Sequence, residues 1–364
     1  MRVLFWVPYP SEGASNRYRV EQYLPYLRDA HIDYALHPFW SSGGYRVLYR
    51  RGHYIKKTYY FLAGTCSRLI DLLTVSRYTL VFIHREACPL GSAYFEERLA
   101  RMGKPVIFDF DDAIFLPVAS VPNVFIGKFK QPQKIRQIIK NSRQVIAGNE
   151  YLSSYARCYN PSVSVIPTAI DTQKYRPNYK RRDNERLVIG WVGSGTTAIF
   201  LPMLKEVFIK LSERFKNVSF AIVGGSYSIE GLKDIRNIGW SLESELEQLQ
   251  TFDIGIMPMP DNEWTRGKCA FKAILYMSMG IPCVCSAVGM NKELLQDGEN
   301  GFLADSEKEW VEKLSLLIEN PALRRRIGSA ARKAIEEKYS LTVNAPKFLA
   351  VINAAGKTGK GDVR

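Results

Sequence analysis

The sequence predicts two doubly wound parallel α/β domains, and three observations carry the prediction. The chain has 364 residues, too many for one ordinary domain and suited to two, each able to bury its own core. Short runs rich in Val, Ile, Leu and Phe alternate with helical patterns in two successive series. Polar or glycine-rich loops follow the predicted strands, where a doubly wound sheet opens its ligand crevice.

The first series occupies residues 1–175. Val3 to Val7 reads as a strand, the loop PYPSEGASNRYRV follows, and a helix is predicted from Tyr18 to Asp29. Gly13, Ser15, Arg17 and Arg19 therefore lie at a strand end and a helix start, and are expected to contact a ligand or line a cleft rather than to be simply solvated. The loop is not a GxGxxG fingerprint, which weakens a dinucleotide reading. Tyr45 to Phe61 interleaves Arg46, Arg50, Arg51, Lys56 and Lys57 with five tyrosines. Such a mixture suits a membrane interface or a nucleic-acid backbone, or else a solvated helix pair with inward tyrosines.

Two more strands follow, Leu80 to Ile83 and Val106 to Phe110. The first runs into His84, Arg85 and Glu86; the second carries Asp109 and leads into Asp111 and Asp112. His84 is either a satisfied histidine at the edge of the core or a ligand group. The three aspartates suit a hydrogen-bonding corner better than a metal site, since no fourth ligand is in view, and Asp112 also suits a cap on the next turn. Strands at Gln144 to Ala147 and Val163 to Ile166 complete the series. The polar, aperiodic run at 176–186 reads as a linker.

The second series occupies residues 187–340. The strand Leu187 to Val192 feeds Gly193, Ser194, Gly195 and Thr196, and a helix is predicted from Ile199 to Arg214. Small residues at such a junction let backbone N–H groups approach a phosphate. Phe220 to Val223 ends in Gly224 and Gly225; Trp240 precedes an expected capping box at Ser241 that opens a helix to Gln250; Asp253 to Met257 is the next strand. The stretch WTRGKCAFKAILYMSMGIPCVCSAVG, Trp264 to Gly289, then reads loop, helix, turn and strand. Lys268 and Lys272 oppose the dipole of that helix, so they are badly placed for its stability and well placed if an anion sits there. A phosphate or diphosphate site is inferred.

The formal net charge of +14 points to an anionic partner without saying which. Six scattered cysteines, with no CxxC pair, read as free thiols of a reducing cytoplasm, and no zinc site is expected. No run of 18 apolar residues exists, and the N-terminal MRVLFWVPYP reads as a buried strand rather than a secretory signal.

Taken together, the Gly-rich loop, the strand ending in GG, "IGW" before an acidic helix, "FDIGIMPMP" and "RGKCAFKAILYMSMGIPCVCSAVGMNKELLQDGENGFLADSEKEW" resemble the donor-binding half of GT-B glycosyltransferases of the retaining family 4 type. The resemblance covers 187–340, and the first half fits more loosely through "HRE", "FDFDDAIF" and "VIPTAIDTQKY". It implies two Rossmann-like domains facing each other across a cleft, with a helix at 341–354 crossing back to the first domain and a tail at 355–364. It also implies transfer of a sugar from a nucleotide diphospho-sugar to an acceptor hydroxyl with retained configuration.

One departure stands out. The two glutamates usual in that family are replaced here by Gly267 and Leu275, as in a sub-pattern with a GK-C-x-FK run. Lys268 and Lys272 become the candidates for the diphosphate, with the N–H groups of Gly193 to Thr196 and Arg17 or Arg19. Gly225 lies on the donor side; Trp240 is expected to stack on the base or to be a core aromatic. His84 and Asp111 are candidates for sugar or acceptor chemistry beside Arg85, Asp109 and Asp112, with Gly13, Ser15, Arg17 and Arg19 expected to line the acceptor cleft; no cofactor and no metal are expected. The expected partners are the donor and a glycan or lipid-linked acceptor, with peripheral membrane contact through 45–61 at the inner face and no nucleic acid. Two rivals remain: a catalytically degraded GT-B protein that binds a glycan or a partner transferase, and a polyanion or nucleic-acid binding protein.

Overall fold

The computed structural model describes residues 1–117, 131–178 and 186–357. They form two compact units, Met1–Ala169 together with the chain from Leu341, and Ile170–Ser340. Of the polar run at 176–186, residues 179–185 lie outside the described residues, as does the tail beyond 357.

The first unit holds six parallel strands: β1 (Arg2–Val7), β2 (Asp33–Pro38), β3 (Leu80–His84), β4 (Val106–Phe110), β5 (Gln144–Ala147) and β6 (Val163–Val165), in the order β2-β1-β3-β4-β5-β6. The inner strands β3 and β4 are buried along their whole length and apolar except for His84 and Asp109, as a sheet covered by helices on each side requires. Val3, Phe5, Phe82, Ile107 and Ile146 meet Phe348 and Ile352 of the final helix, Leu341–Gly356. Phe348 stacks on Tyr23 at 4.4 Å and 11°. The predicted helix from Tyr18 to Asp29 is broken: a helix Ala14–Arg19, a 3-10 turn Glu21–Tyr23 and a second helix Leu24–Asp29 replace it. Pro25 explains the break, because it lacks the N–H that a continuous helix would use and suits a first turn.

The second unit holds six more parallel strands: β7 (Leu187–Val192), β8 (Val218–Val223), β9 (Ile235–Ile238), β10 (Ile254–Met257), β11 (Cys283–Ser286) and β12 (Phe302–Ala304), in the order β12-β11-β10-β7-β8-β9. The predicted helix from Ile199 is also interrupted. A short helix Gly195–Ala198 and a 3-10 turn Leu201–Leu204 containing Pro202 precede the helix Lys205–Arg214. Ser241 does not open a helix directly, since its Oγ accepts from Ser244 N at 3.2 Å in a turn and the helix Glu245–Leu249 starts later. The helix Glu307–Glu319 begins with a capping box between Ser306 and Glu309, and Asn320 caps the helix Pro321–Lys338.

Two glycines in the middle of strands serve as sockets. A Cβ on Gly190 would lie 2.1 Å from the Phe252 ring, and one on Gly255 would lie 2.4 Å from the Tyr276 ring. The Tyr276 hydroxyl accepts from Val192 N at 3.0 Å and donates to Ile256 O at 3.3 Å. The helix Phe271–Ser278 is thereby fastened to the ends of β7 and β10.

The strand order of each sheet reverses at one place, between β1 and β3 in the first unit and between β7 and β10 in the second. Those are the switch points, where a doubly wound sheet opens its crevice.

Candidate functional site

At the switch point of the second unit, β7 passes into Gly193 and Ser194, and Ser194 stands at the start of the short helix Gly195–Ala198. The Ser194 and Thr196 hydroxyls lie 2.7 Å apart. From the other side, Ala270 adopts φ +50° and turns the chain into the helix Phe271–Ser278, which carries Lys272 in its first turn. The Lys272 stem then runs over the backbone of Gly193: a Cβ there would lie 2.7 Å from Lys272 Cε and 2.7 Å from the Trp191 ring. Lys272 Nζ lies 5.4 Å from the centroid of Trp191, within cation–π reach.

Gly224 and Gly225 close the same corner. With φ +77°, Gly224 has its α-carbon face 2.4 Å from Gly193 O and 3.0 Å from Trp240 Cβ, measured from where a Cβ would stand. A Cβ on Gly225 would lie 2.7 Å from Trp191. Gly193, Gly225, Trp240 and Lys272 are thus brought together. Lys268 takes a different neighbour, its Nζ lying 4.0 Å over the Trp264 ring, which packs on Phe200 just past the short helix. Gly267 is buried and Leu275 is 2 % exposed, so the face of the helix with Leu275 is core.

Beneath Lys272 lie two thiols on alternate residues of β11, Cys283 and Cys285, with sulfurs 3.8 Å apart on one face. Burial and then its neighbour Cys283 push the Cys285 thiol well up, although Lys272 pulls it down.

At the switch point of the first unit, His84 ends β3 and Asp109 stands opposite it on β4. Both are wholly buried. His84 Nδ1 lies 2.6 Å from Asp109 Oδ2, and Arg19 grips the same carboxylate through Nε at 3.3 Å and through Nη2 to Oδ1. Arg19 Nη1 also donates to Ile166 O at 2.7 Å. Burial alone would raise the Asp109 carboxyl, but Arg19 and His84 outweigh it and hold the group below the usual carboxylate range. Arg85 sits at φ +64°, a left-handed backbone that a long side chain adopts at a cost, and donates from Nε to Asp111 Oδ1 at 2.7 Å. Against the effect of burial, Arg85 and then His84 keep Asp111 well below the ordinary range.

Arg19 therefore points inward to a buried carboxylate rather than toward a ligand, which corrects its expected place beside the diphosphate. Asp109 has both oxygens engaged, and Asp112 Oδ1 accepts from Ala113 N at 3.0 Å as the cap of a turn. Among the described residues no group of three His, Cys, Asp or Glu side chains is arranged to hold a metal ion. Arg17 donates to Ser11 O and Glu12 O and shapes the loop after β1, while Gly13 makes room for Tyr9, whose Cβ would be 2.4 Å from a Cβ at 13. Two polar atoms at this crevice are left over. His84 Nε2 and Ser15 Oγ are buried with no hydrogen-bond partner among the described residues, the nearest carboxylate oxygen to Nε2 being Asp111 Oδ1 at 3.9 Å.

Trp191 and Tyr276 are the residues that sequence reasoning missed. Each lies in an apolar run that reads as core, and only the neighbouring glycines at 193, 225 and 255 signal that rings must fit there.

Residues 186–320, which include this whole corner, match the family described as Glycosyl transferases group 1. By that match the segment resembles a group 1 glycosyl transferase domain. Among curated relatives, trehalose synthase of Pyrococcus horikoshii is 28 % identical over 171 residues, covering 42 % of this chain and 40 % of that protein. The capsular polysaccharide biosynthesis glycosyltransferase CapM of Staphylococcus aureus is 21 % identical over 202 residues, 53 % of this chain and 52 % of that one. The chain thus spans about half the length, or less, of the curated relatives it matches. Among solved structures, a glycosyltransferase of Rickettsia africae superposes with a TM-score of 0.69 at 14 % identity over 98 % of this chain and 99 % of that one. HepE of Anabaena, solved with UDP, gives 0.67 at 14 % over 97 % and 100 %. At such identities the likeness shows the fold, which is the GT-B arrangement of two parallel-sheet α/β domains expected from the sequence.

Proposed function

We propose that the protein is a retaining glycosyltransferase that moves a sugar from a nucleotide diphospho-sugar to an acceptor hydroxyl, in the synthesis of a cell-surface polysaccharide or glycolipid. The observation that carries this reading is the placement of Lys272 against Gly193 at the β7/β10 switch point, inside the segment that matches the group 1 family. Its relatives' names point the same way: CapM is a capsular polysaccharide glycosyltransferase, and HepE was solved with UDP-glucose as well as UDP.

The chemistry follows from charge. As the glycosidic bond to the diphosphate breaks, the leaving group gains negative charge, and fixed cations and N–H dipoles stabilise it more than the ground state. Lys272 and Lys268 with the N–H groups of Gly193 to Thr196 supply that field in this reading, with no metal and no cofactor proposed. Trp240 stands at the same corner as a wall for the base. In the first unit, His84 Nε2, aimed by the bond from Nδ1 to Asp109, is the group for a sugar or acceptor hydroxyl, with Asp111 and Arg85 beside it. The acceptor is a glycan or a lipid-linked glycan, met by a cytoplasmic protein at the inner face of a membrane.

A thermal-shift series against UDP, GDP, ADP, CMP and dTDP tests the donor site, since ligand at about a hundred times its dissociation constant stabilises the native state by roughly 2.7 kcal/mol. A selective rise with one nucleoside diphosphate, lost in Lys272→Ala, is the expected outcome. No rise with any of them would favour the second reading, a GT-B protein without turnover, which the apolar residue at Leu275 and the bare Gly267 support.

A further inference from the structure

The helix Tyr54–Thr74 is built inside out. Its buried residues are Lys57, Gly64, Arg68 and Asp71, three of them ionisable. Each has a specific partner within the first unit. Lys57 Nζ donates to Arg50 O at 2.7 Å; Arg68 donates to Ala87 O, Val7 O and His37 O; Asp71 accepts from Trp6 Nε1 at 2.8 Å. A Cβ on Gly64 would lie 2.5 Å from Phe39 O, so the inner face cannot roll outward without losing this fit.

The outer face is apolar. Ile55, Tyr59, Leu62, Cys66, Leu69 and Leu73 are all exposed, Ile55 by 88 % and Leu73 by 84 %, and Ile70 stands beside them. At about 100° per residue these positions form one stripe, roughly 100° wide and ~27 Å long. A surface helix ordinarily buries such a stripe, and leaving one in water on this scale marks a contact surface. The five exposed cations of residues 42–77 are Arg46, Arg50, Arg51, Lys56 and Arg77, and the only carboxylate in that span, Asp71, is buried. The exposed residues of this span therefore include many apolar side chains and five cations, and no carboxylate.

We propose that this outer face seats the protein on an anionic lipid bilayer, the helix lying in the plane of the headgroups with its stripe in the acyl boundary and its cations on the lipid phosphates. The inference rests on the membrane contact proposed above and is independent of the transfer chemistry. It also moves that contact: within 45–61, Lys57 is buried and Tyr60 is only partly exposed, while the apolar surface continues to Leu73. No helix among the described residues is long and apolar enough to cross a membrane, so this one lies on the surface. Charge favours lipid over self-pairing. Within residues 42–77 two copies would bring together like cations with no exposed carboxylate of that span to pair them, whereas anionic lipid supplies the complement.

The test is co-sedimentation of the full chain with vesicles of phosphatidylcholine alone and of phosphatidylcholine mixed equally with phosphatidylglycerol. Binding is expected to the mixed vesicles and to weaken with salt. The double variant Leu62→Ser with Leu73→Ser, and separately the triple variant Arg50→Glu, Arg51→Glu, Lys56→Glu, should each weaken it by at least about tenfold. All five side chains are exposed, so unchanged thermal unfolding is the control for the fold. A protein that stays in the supernatant, or an apolar double variant that sediments like the parent, overturns the proposal. So does a lipid-free dimer that the double variant dissolves, which would make the stripe a surface between copies. None of these outcomes depends on a response to nucleoside diphosphates.

Discussion

Lys272 crosses the backbone of Gly193 at the distance of one missing methyl group, its Cε standing 2.7 Å from where a Cβ would be. The glycine is thus a passage for the cation. Gly193→Ala must displace Lys272, the Trp191 ring or both, so overpacking of about 1–3 kcal/mol is expected. Nucleoside diphosphate affinity should fall with it. Urea unfolding and calorimetric titration of the same variant check the two effects together.

Removing the cations themselves separates binding from folding. Lys272→Ala and Lys268→Ala should each weaken nucleoside diphosphate binding by about 1.5–3 kcal/mol, the worth of a hydrogen bond to a charged group. Both side chains are partly exposed, so little stability should be lost. Full affinity in the double variant would remove the diphosphate from this corner.

The Arg19–Asp109–His84 cluster makes a different prediction, about folding. Asp109→Asn leaves the Arg19 guanidinium buried without its counter-ion, which costs about 3–5 kcal/mol. Because Asp109 and Asp111 both titrate lower in the folded chain than in the unfolded one, the unfolded chain takes up protons first as pH falls. Their contribution is therefore complete above the unfolded carboxylate value of about 4 and is lost progressively below it. Denaturant unfolding between neutral and acid pH should show a slope for the parent that is shallower in Asp109→Asn.

Leu275→Glu would restore the residue type that the resemblance leads one to expect there. In this structure the side chain is core, and a carboxyl there without a partner should cost at least about 1–3 kcal/mol. A stable variant with tighter nucleotide binding would show that the helix can turn this face to the ligand.

Much of the fold is legible in the sequence because the inner strands are predominantly apolar runs ended by glycine or polar residues. Val106–Phe110, Gln144–Ala147 and Leu187–Val192 begin and end where their composition changes. The edge strands β2 and β9 leave no clear sequence pattern, since Asp33, His37, Arg236 and Asn237 dilute one that is only half-buried. The predicted helices exceed the observed ones where a proline restarts the chain, at Pro25 and Pro202. Lys272 stood out because a cation beginning an apolar helix is anomalous. The pairing of Arg19 with Asp109 did not, because the two lie 90 residues apart and only the sheet order brings them together.

The bare faces of Gly190 and Gly255 receive the rings of Phe252 and Tyr276, and Tyr276 lies one helical turn beyond Lys272 on the same side of its helix. The Gly255 socket directly, and the Gly190 socket through the Phe252 ring that packs 6.1 Å from Tyr276, therefore act as a gauge that sets how deeply the helix sits, and so how far its cation reaches. A screen for variants that lose ligand affinity would return these two strand glycines beside the lysines. Sensitivity at Gly190 or Gly255 would then report the seating of the helix, and a map of affected positions would be wider than the footprint of whatever binds.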